Sequence, residues 1–172
     1  HRFTKDKIPT YVDFIIGLPG DNYEKFSNSI SDLISSGQNN RIQFNNLSIL
    51  PNAEMAQEDY IKKYQLKTVN APIVNMHGSL DETPSDGILE TQKLVISTKD
   101  MPIKDWKKTR IFSSTTEFLF FNKILQIPIF LIYTKHKSIS FKNIFEKFIE
   151  INDEKKYPTI TYVNNIFIDH AE

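Results

Sequence analysis

The sequence predicts an α/β fold in which buried parallel strands precede a mainly helical second half. Three observations indicate this class: an apolar run that ends in a Gly-Leu-Pro-Gly turn, a strand–helix–strand spacing, and Phe-rich segments with helical periodicity. The 172 residues are enough for one compact domain with a sizeable core.

The first strand and its partner lie within residues 11–51. Val12–Ile16 is almost continuously apolar, as in the strands of parallel sheets that helices cover on both faces. Residues 41–50 return to strand character, and Pro51 ends that strand. The short connections predict a parallel pair joined by a right-handed crossover helix. A second helix is predicted over residues 54–64.

The crossover helix carries start and stop signals in its sequence. Asp21 is the predicted N-cap, and Glu24 at the third helical position completes a capping box. Gly37 suits the left-handed conformation that ends many helices. Apolar residues at helical spacing predict one buried face, made of Tyr23, Phe26, Ile30, Leu33 and Ile34.

The rest of the chain changes from irregular to helical character. Residues 66–99 are predicted as an irregular linker with one extended segment, "ILETQKLVIST". From Asp100 onward, Trp and Phe residues predict a long buried helix that Pro128 interrupts. Further helices are predicted over residues 129–133 and 141–149. The tail, "TITYVNNIFID", is predicted as a hairpin around its Asn-Asn pair, because Asn tolerates the positive φ of tight turns.

Charge and cysteine content exclude several classes of partner and cofactor. The 21 Lys and Arg residues balance 21 Asp and Glu residues, so neither nucleic acid nor an anionic membrane is an expected partner. The chain has no Cys, which excludes disulfides and thiolate-ligated iron–sulfur or zinc sites within it. Without disulfides, a cytoplasmic location is expected. The longest apolar run, residues 127–133, is far shorter than the roughly 20 residues of a membrane span.

Two features at the predicted strand ends are candidate ligand sites. The turn of residues 17–20 either holds backbone close to a ligand or makes a tight corner, and alone it favours the corner. Asn45, Asn46 and Asn52 bracket the end of the next strand, where α/β proteins bind ligands, although Asn also ends strands generally.

The histidines are expected at the surface rather than in a site. His77 shares a loop with Asp81 and Glu82, but their spacing matches no metal-ligand or acid–base pattern. His136 lies among lysines. No catalytic acid, base or nucleophile and no metal ligand is assigned in this chain.

Two segments together resemble the radical SAM superfamily: "VDFIIGLPGDNYEKF" and "LSILPNAEM". The matching positions are Asp13, Ile15, Gly17, Leu18, Pro19, Gly20, Phe26, Leu47, Leu50, Pro51 and Met55. More loosely, "ETQKLVISTKDMPIKDW", the Phe-rich helix and "SFKNIFEKFI" resemble the helical tail of the cobalamin (vitamin B12)-binding group. Asp-Asn replaces the family's usual Glu-Thr after the turn. The Cys-x-x-x-Cys-x-x-Cys loop of the family, which precedes these strands, is absent from the chain.

The resemblance implies three regions and a set of cofactors. The regions are the last β/α units of a partial TIM-type barrel (1–65), the linker (66–99) and a helical C-terminal domain (100–172). The parent enzyme would use S-adenosylmethionine (SAM), a four-iron four-sulfur cluster and cobalamin, none of them held by this chain alone, which would be inactive. Ile15, Gly17 and Gly20 would make packing and backbone contacts with the adenosyl group, with Leu50 and Pro51 beside them.

The resemblance also implies partners, and two other interpretations stay open. The expected partners are the N-terminal part of the same polypeptide, a small-molecule or peptide substrate, and a second copy bound through exposed strand edges. One alternative is a non-enzymatic helical interaction module whose Gly-Leu-Pro-Gly turn is only a corner. The other keeps the superfamily but changes the branch, to a methylthiotransferase or a porphyrin-pathway enzyme.

Overall fold

The computed structural model describes residues 2–73, 90–136 and 138–171, so the loop with His77, Asp81 and Glu82 lies outside the described residues. Within those ranges the chain forms five strands and seven α-helices. In chain order they are α1 (Arg2–Lys5), β1 (Val12–Ile16), α2 (Tyr23–Ser35), β2 (Ile42–Asn46), β3 (Ser48–Ile49), α3 (Glu58–Tyr64), β4 (Lys67–Pro72), β5 (Thr91–Ser97), α4 (Ile103–Thr116), α5 (Gln126–Lys135), α6 (Phe141–Ile149) and α7 (Pro158–Asp169).

The predicted strand–helix–strand unit is confirmed. β1 and β2 pair in parallel, with Val12 opposite Ile42 and Ile16 opposite Asn46. α2 packs on one face of the pair, where Phe26 meets Phe14 edge-on with ring centroids 5.3 Å apart. The unit therefore has one face covered by a helix, as expected for a β/α element of a parallel sheet.

The start of α2 differs from the prediction by one residue, and its end is as predicted. The N-cap is Asn22 rather than Asp21, because the Asn22 Oδ1 accepts the N–H of Lys25 at 3.0 Å while Asp21 Oδ1 accepts the N–H of Asn22. The predicted stop at Gly37 is confirmed by its φ of +99°. The N–H of Gly37 bonds to the Ile34 carbonyl, as in a Schellman motif.

A second sheet, antiparallel, lies in the region predicted as an irregular linker. Its strand order is β3-β5-β4. β5 confirms the extended segment, but β4 was not predicted. β4 reads "KTVNAP", which is too short and too polar to indicate a strand, and it is almost wholly exposed. Its strand geometry depends on pairing with β5, and Pro72 is tolerated because β4 is at the edge.

A single residue, Leu47, separates β2 from β3 and joins the two sheets. The Leu47 N–H donates to the carbonyl of Ile16 at the end of β1 (2.9 Å). The Leu47 carbonyl accepts the N–H of Val95 in β5, also at 2.9 Å. The chain therefore leaves the parallel pair and enters the antiparallel sheet at a single residue.

The region after Asp100 is helical as predicted, but the first long helix ends before Pro128. α4 continues into a π-helical turn at Glu117–Phe121, and the chain then leaves helical geometry before α5 begins at Gln126. Pro128 does not interrupt a helix, because it lies in the first turn of α5, where its missing N–H costs nothing. The predicted helix over residues 54–64 is also split, into a 3₁₀ turn (Glu54–Ala56) and α3.

The predicted terminal hairpin is wrong, because residues Pro158–Asp169 form α7. Pro158 occupies the first helical turn, which its fixed φ favours. Asn164, the expected turn residue, is buried. Its Nδ2 donates to the carbonyls of Phe148, Ile149 and Ile151 at 2.7, 3.4 and 3.1 Å. This side chain therefore closes the end of α6, a long-range contact that overrides the turn preference of Asn.

Two apolar cores hold the elements together. The larger lies between the β1–β2 pair and the helices α2, α4, α5 and α6, and Phe112, Phe120, Phe141 and Phe145 are fully buried in it. The smaller lies under the antiparallel sheet around Leu47 and Val95. Among the described residues no single helix is long and apolar enough to cross a membrane; Ile103–Phe121 and Gln126–Lys135 pass that test only as a pair, with a 97° bend between them.

Candidate functional site

The face of the β1–β2 pair opposite α2 is open and carries polar side chains. Asp13 is paired with Gln43 and Ile15 with Asn45 across the parallel strands. Side chains alternate between the faces of a strand, and Phe14 and Phe44 occupy the α2 side, so these four lie on the other face. Asp13 is exposed, and Ile15 keeps 39% of its surface accessible. This open face combines one apolar side chain with a carboxylate and two amides.

Three of the four residues on the open face were singled out from the sequence. Asp13 and Ile15 were among the matched family positions, and Asn45 was noted as a strand-end residue. Gln43 was missed. The signal was available, because "IQFNN" alternates apolar and polar residues with the period of a strand that has one solvated face. Gln43 Nε2 donates to Asn45 Oδ1 at 3.2 Å, so the two amides are held together.

The Gly-Leu-Pro-Gly turn is shaped by its two glycines. Gly17 and Gly20 have φ values of +95° and +86°, in a region that other residues rarely adopt. A Cβ on Gly17 would lie 3.5 Å from Val95, whereas a Cβ on Gly20 would meet nothing within 4 Å. Both glycines are therefore required by backbone conformation, and close packing adds nothing severe at either one.

Both backbone polar groups of Gly20 already have partners in this structure. The Gly20 N–H donates to Asp100 Oδ2 at 3.2 Å, and the Gly20 carbonyl accepts Lys25 Nζ at 2.8 Å. Burial raises the pKa of Asp21, which follows the turn. The turn is thus tied to the start of the helical region through Asp100, a contact that no local sequence pattern indicates.

The second group of predicted site residues follows β3. Leu50 and Pro51 are both exposed, Leu50 with 67% of its surface accessible. They sit in a turn in which the Ala53 N–H donates to the Leu50 carbonyl at 3.0 Å. The neighbouring Ile49 points into the smaller core, so alternation directs Leu50 outward.

Asn46, at the carboxyl end of β2, links the parallel pair to α4. Its Oδ1 accepts the indole N–H of Trp106 at 2.9 Å, and its Nδ2 donates to the Val95 carbonyl at 3.0 Å. The amide is therefore fully engaged in holding α4 and β5 at the strand end. Asn46 positions the site and leaves the open face to its neighbour Asn45.

Metal ligation was not expected of this chain, and the described residues bring no three His, Asp or Glu side chains together around a metal-sized space. His136 is exposed, as expected. The arrangement that does exist, an open strand face next to a glycine turn at the carboxyl end of parallel strands, is typical of cofactor-binding α/β enzymes.

Comparison with known proteins identifies the family. No family model matches the chain. The cobalamin-dependent radical SAM methyltransferase TokK of Streptomyces tokunonensis is 31% identical over 118 residues. The 2-(S-pantetheinyl)-carbapenam-3-carboxylate methyltransferase of Streptantibioticus cattleyicolor is 30% identical over 118 residues. Each match covers 69% of this chain and 17% of the relative, so the chain spans about a sixth of their length. The chain belongs to the radical SAM superfamily, within its cobalamin-binding group.

Proposed function

We propose that this chain is the C-terminal part of a cobalamin-dependent radical SAM methyltransferase, in which β1 and β2 form one wall of the SAM pocket. The open face of the strand pair is the observation that supports this most directly. A β/α unit that covers one face with a helix and leaves the other face open matches a segment of barrel wall. The residues at its carboxyl end carry the superfamily's Gly-Leu-Pro-Gly motif.

The open face fits an adenosyl group in its chemistry. Ile15 offers apolar surface for the adenine ring, and the amides of Gln43 and Asn45 offer both donors and acceptors. Gly17 and Gly20 would act through the shape of the turn, because the Gly20 N–H already bonds to Asp100. Leu50 and Pro51 would lie beside the ligand.

The other cofactors would be held outside these 172 residues. A four-iron four-sulfur cluster needs thiolate ligands, and the chain has no Cys. In the longer protein the cluster would supply the electron for reductive cleavage of SAM, and cobalamin would carry the methyl group. The chain's own share would be a pocket wall and a helical region that faces a small-molecule or peptide substrate. The chain would be inactive alone. The expected location of the protein is the cytoplasm.

The surface around β1 supports a partner of one kind, the upstream strands of the same barrel. β1 pairs only with β2 among the described residues, so its other edge is open there. Phe3, Ile8 and Tyr11, just before β1, are large apolar side chains exposed to solvent. Upstream strands would pair with the open edge and cover these side chains. Without them, the same edge favours self-association of the isolated chain.

A second candidate function, a helical interaction module, is favoured by one observation. α5 exposes Ile127 and Leu131, which are one turn apart on the same side of the helix. A protein that only docks partners through this face would bind SAM no better after the upstream residues are added. SAM binding by the longer protein therefore separates the two functions.

The proposed wall is tested with Ile15→Glu in the full polypeptide, reconstituted with its cluster. A carboxylate in place of the apolar contact is expected to weaken SAM binding by about tenfold or more, equivalent to about 1.4 kcal/mol. Val69→Glu in β4 is the matched control, because Val69 is also a β-branched strand residue and has a similar exposure of 43% against 39%. Equilibrium dialysis with labelled SAM gives the affinity, and electron paramagnetic resonance gives the cluster content.

Two outcomes would contradict the proposal. If the Ile15 and Val69 variants had equal SAM affinity and equal cluster content, β1 would not be a wall of the SAM pocket. A stoichiometric four-iron four-sulfur cluster bound by the 172-residue chain alone, after incubation with iron and sulfide, would contradict the assignment of the ligands to other residues.

A further inference from the structure

A cavity of about 350 Å³ lies in the helical region, away from the open strand face. Its walls come from the end of α4, the π-helical turn, the two residues before α5 and the facing sides of α6 and α7. The rings of Phe118, Phe148 and Phe167 form much of the lining, and Ile124 and Val163 contribute aliphatic surface. Ile124 is largely exposed, so it marks the rim where the cavity opens to solvent.

The π-helical turn creates the space. The Asn122 N–H bonds to the Glu117 carbonyl at 2.8 Å, five residues back, which widens the helix at its end. Phe120 and Phe121 are directed into the core, while Phe118 stays half-buried and meets Phe167 edge-on at 5.8 Å. π-turns are concentrated at functional sites. Here Phe118 packs against the larger core and also faces the cavity.

The accessible lining is apolar throughout, although three polar residues take part in the walls. The Asn164 amide is engaged with the carbonyls at the end of α6. The Thr115 hydroxyl oxygen is buried and has no hydrogen-bond partner among the described residues. Thr159 is an exposed residue of α7, but the surface of the cavity itself is apolar. The part of a ligand that the cavity buries would therefore find no donor or acceptor there and would have to be free of polar groups.

We propose that this cavity binds the apolar group of a small molecule, an alkyl chain or an aromatic ring. Its volume lies at the lower end of the roughly 300–1,000 Å³ of small-molecule pockets. A dry apolar cavity of about 150 Å³ is enough to hold benzene, so the present one has room for about two rings. A protein partner would need about 800 Å² of matching surface, far more than a concave pocket of this size offers.

The proposal is tested on the 172-residue chain with toluene as the probe. Methyl groups of Leu119, Ile124, Leu125, Ile160 and Val163 line the cavity and report on it in ¹³C methyl NMR spectra. Saturable shifts confined to these methyls are expected. Phenol, which adds a hydroxyl to a similar ring, is expected to bind at least fivefold more weakly, because the lining offers its hydroxyl no exposed partner.

A blocking variant and a matched control keep the test specific. Thr159→Trp places a ring at an exposed lining position of α7 and is expected to weaken toluene binding at least tenfold. Ile166→Trp, on the same helix and outside the lining, is expected to change it less than twofold. Absence of saturable shifts, or equal weakening by both variants, would overturn the proposal. If phenol bound more tightly than toluene, the proposal that the ligand group is wholly apolar would be wrong. If the methyl shifts instead followed dimerisation of the chain, the cavity opening would be an interface between two copies and not a ligand site.

Discussion

An ion pair between α2 and α6 gives the sharpest test of how the first and last regions are held together. Lys142 on α6 contacts Glu24 on α2, and the two partners differ greatly in exposure. The Lys142 side chain keeps 11% of its surface accessible, whereas the Glu24 side chain keeps 66%. Lys142 also lies 5.6 Å from the Tyr23 ring centroid. Removing either charge therefore leaves a different group behind.

The two single substitutions should have unequal costs. Glu24→Gln leaves a desolvated ammonium without its anion, and we expect a loss of about 2 kcal/mol in the free energy of unfolding, between the values for exposed and buried pairs. Lys142→Met keeps an apolar stem in the same place, and the freed Glu24 is hydrated. We expect its cost to stay below about 1 kcal/mol.

Urea unfolding at neutral pH measures both losses, and the double variant completes the cycle. Glu24 also lies in the first turn of α2, where a negative charge favours the helix by about 0.5 kcal/mol. The coupling energy between the two sites removes this local contribution, because it is present with and without Lys142. A larger loss for Lys142→Met than for Glu24→Gln, or a coupling energy near zero, would refute the reasoning.

The same pair predicts a dependence on pH with a definite sign. The hydrogen bond from Lys142 lowers the pKa of Glu24 in the folded state from its usual value of 4.5. The stabilisation is therefore complete above pH 4.5 and is lost as the pH falls through the lower folded-state pKa. In Lys142→Met this part of the acid dependence should disappear from the unfolding profile.

Two further predictions concern single contacts in the fold. Asn164→Leu should lower the free energy of unfolding by about 2 kcal/mol, because the carbonyls at the end of α6 lose their donor. Asn165→Leu, at an exposed position of the same helix, should change the free energy of unfolding by less than about 0.5 kcal/mol. Similar urea midpoints for the two variants would contradict the role of Asn164. Gly17→Ala and Gly20→Ala should each cost about 1–2 kcal/mol through their positive φ, and a much larger loss at Gly17 would show that contact with Val95 decides instead.

The parts of the fold with strong local periodicity were predictable from the sequence. β1 is an apolar run and α2 places apolar residues at helical spacing, so both elements follow from patterns within a few residues. Gly37 ends α2 as predicted because the left-handed conformation is a local preference of glycine. The choice of Asn22 over Asp21 as N-cap was not decidable, since both side chains are good caps and lie side by side.

The elements that were missed depend on contacts distant in sequence. β4 is a strand only because β5 supplies its hydrogen bonds, and its own residues bury no apolar face. α7 was assigned to a hairpin because Asn164 suits turns, while its actual role depends on α6 some fifteen residues earlier. Three of the four open-face residues were predicted and Gln43 was missed, while the contact of Asp100 with the Gly20 N–H was not predictable from any local pattern.

Leu47 couples the two sheets through both of its backbone polar groups. Its N–H is bonded to the last residue of β1 and its carbonyl to the middle of β5. Neither sheet can rotate against the other without breaking at least one of these bonds. A displacement of the antiparallel sheet would therefore be transmitted directly to Ile15 and Asn45, one and two residues away from these bonded positions. Leu47 therefore links the position of β5 to the position of the open strand face.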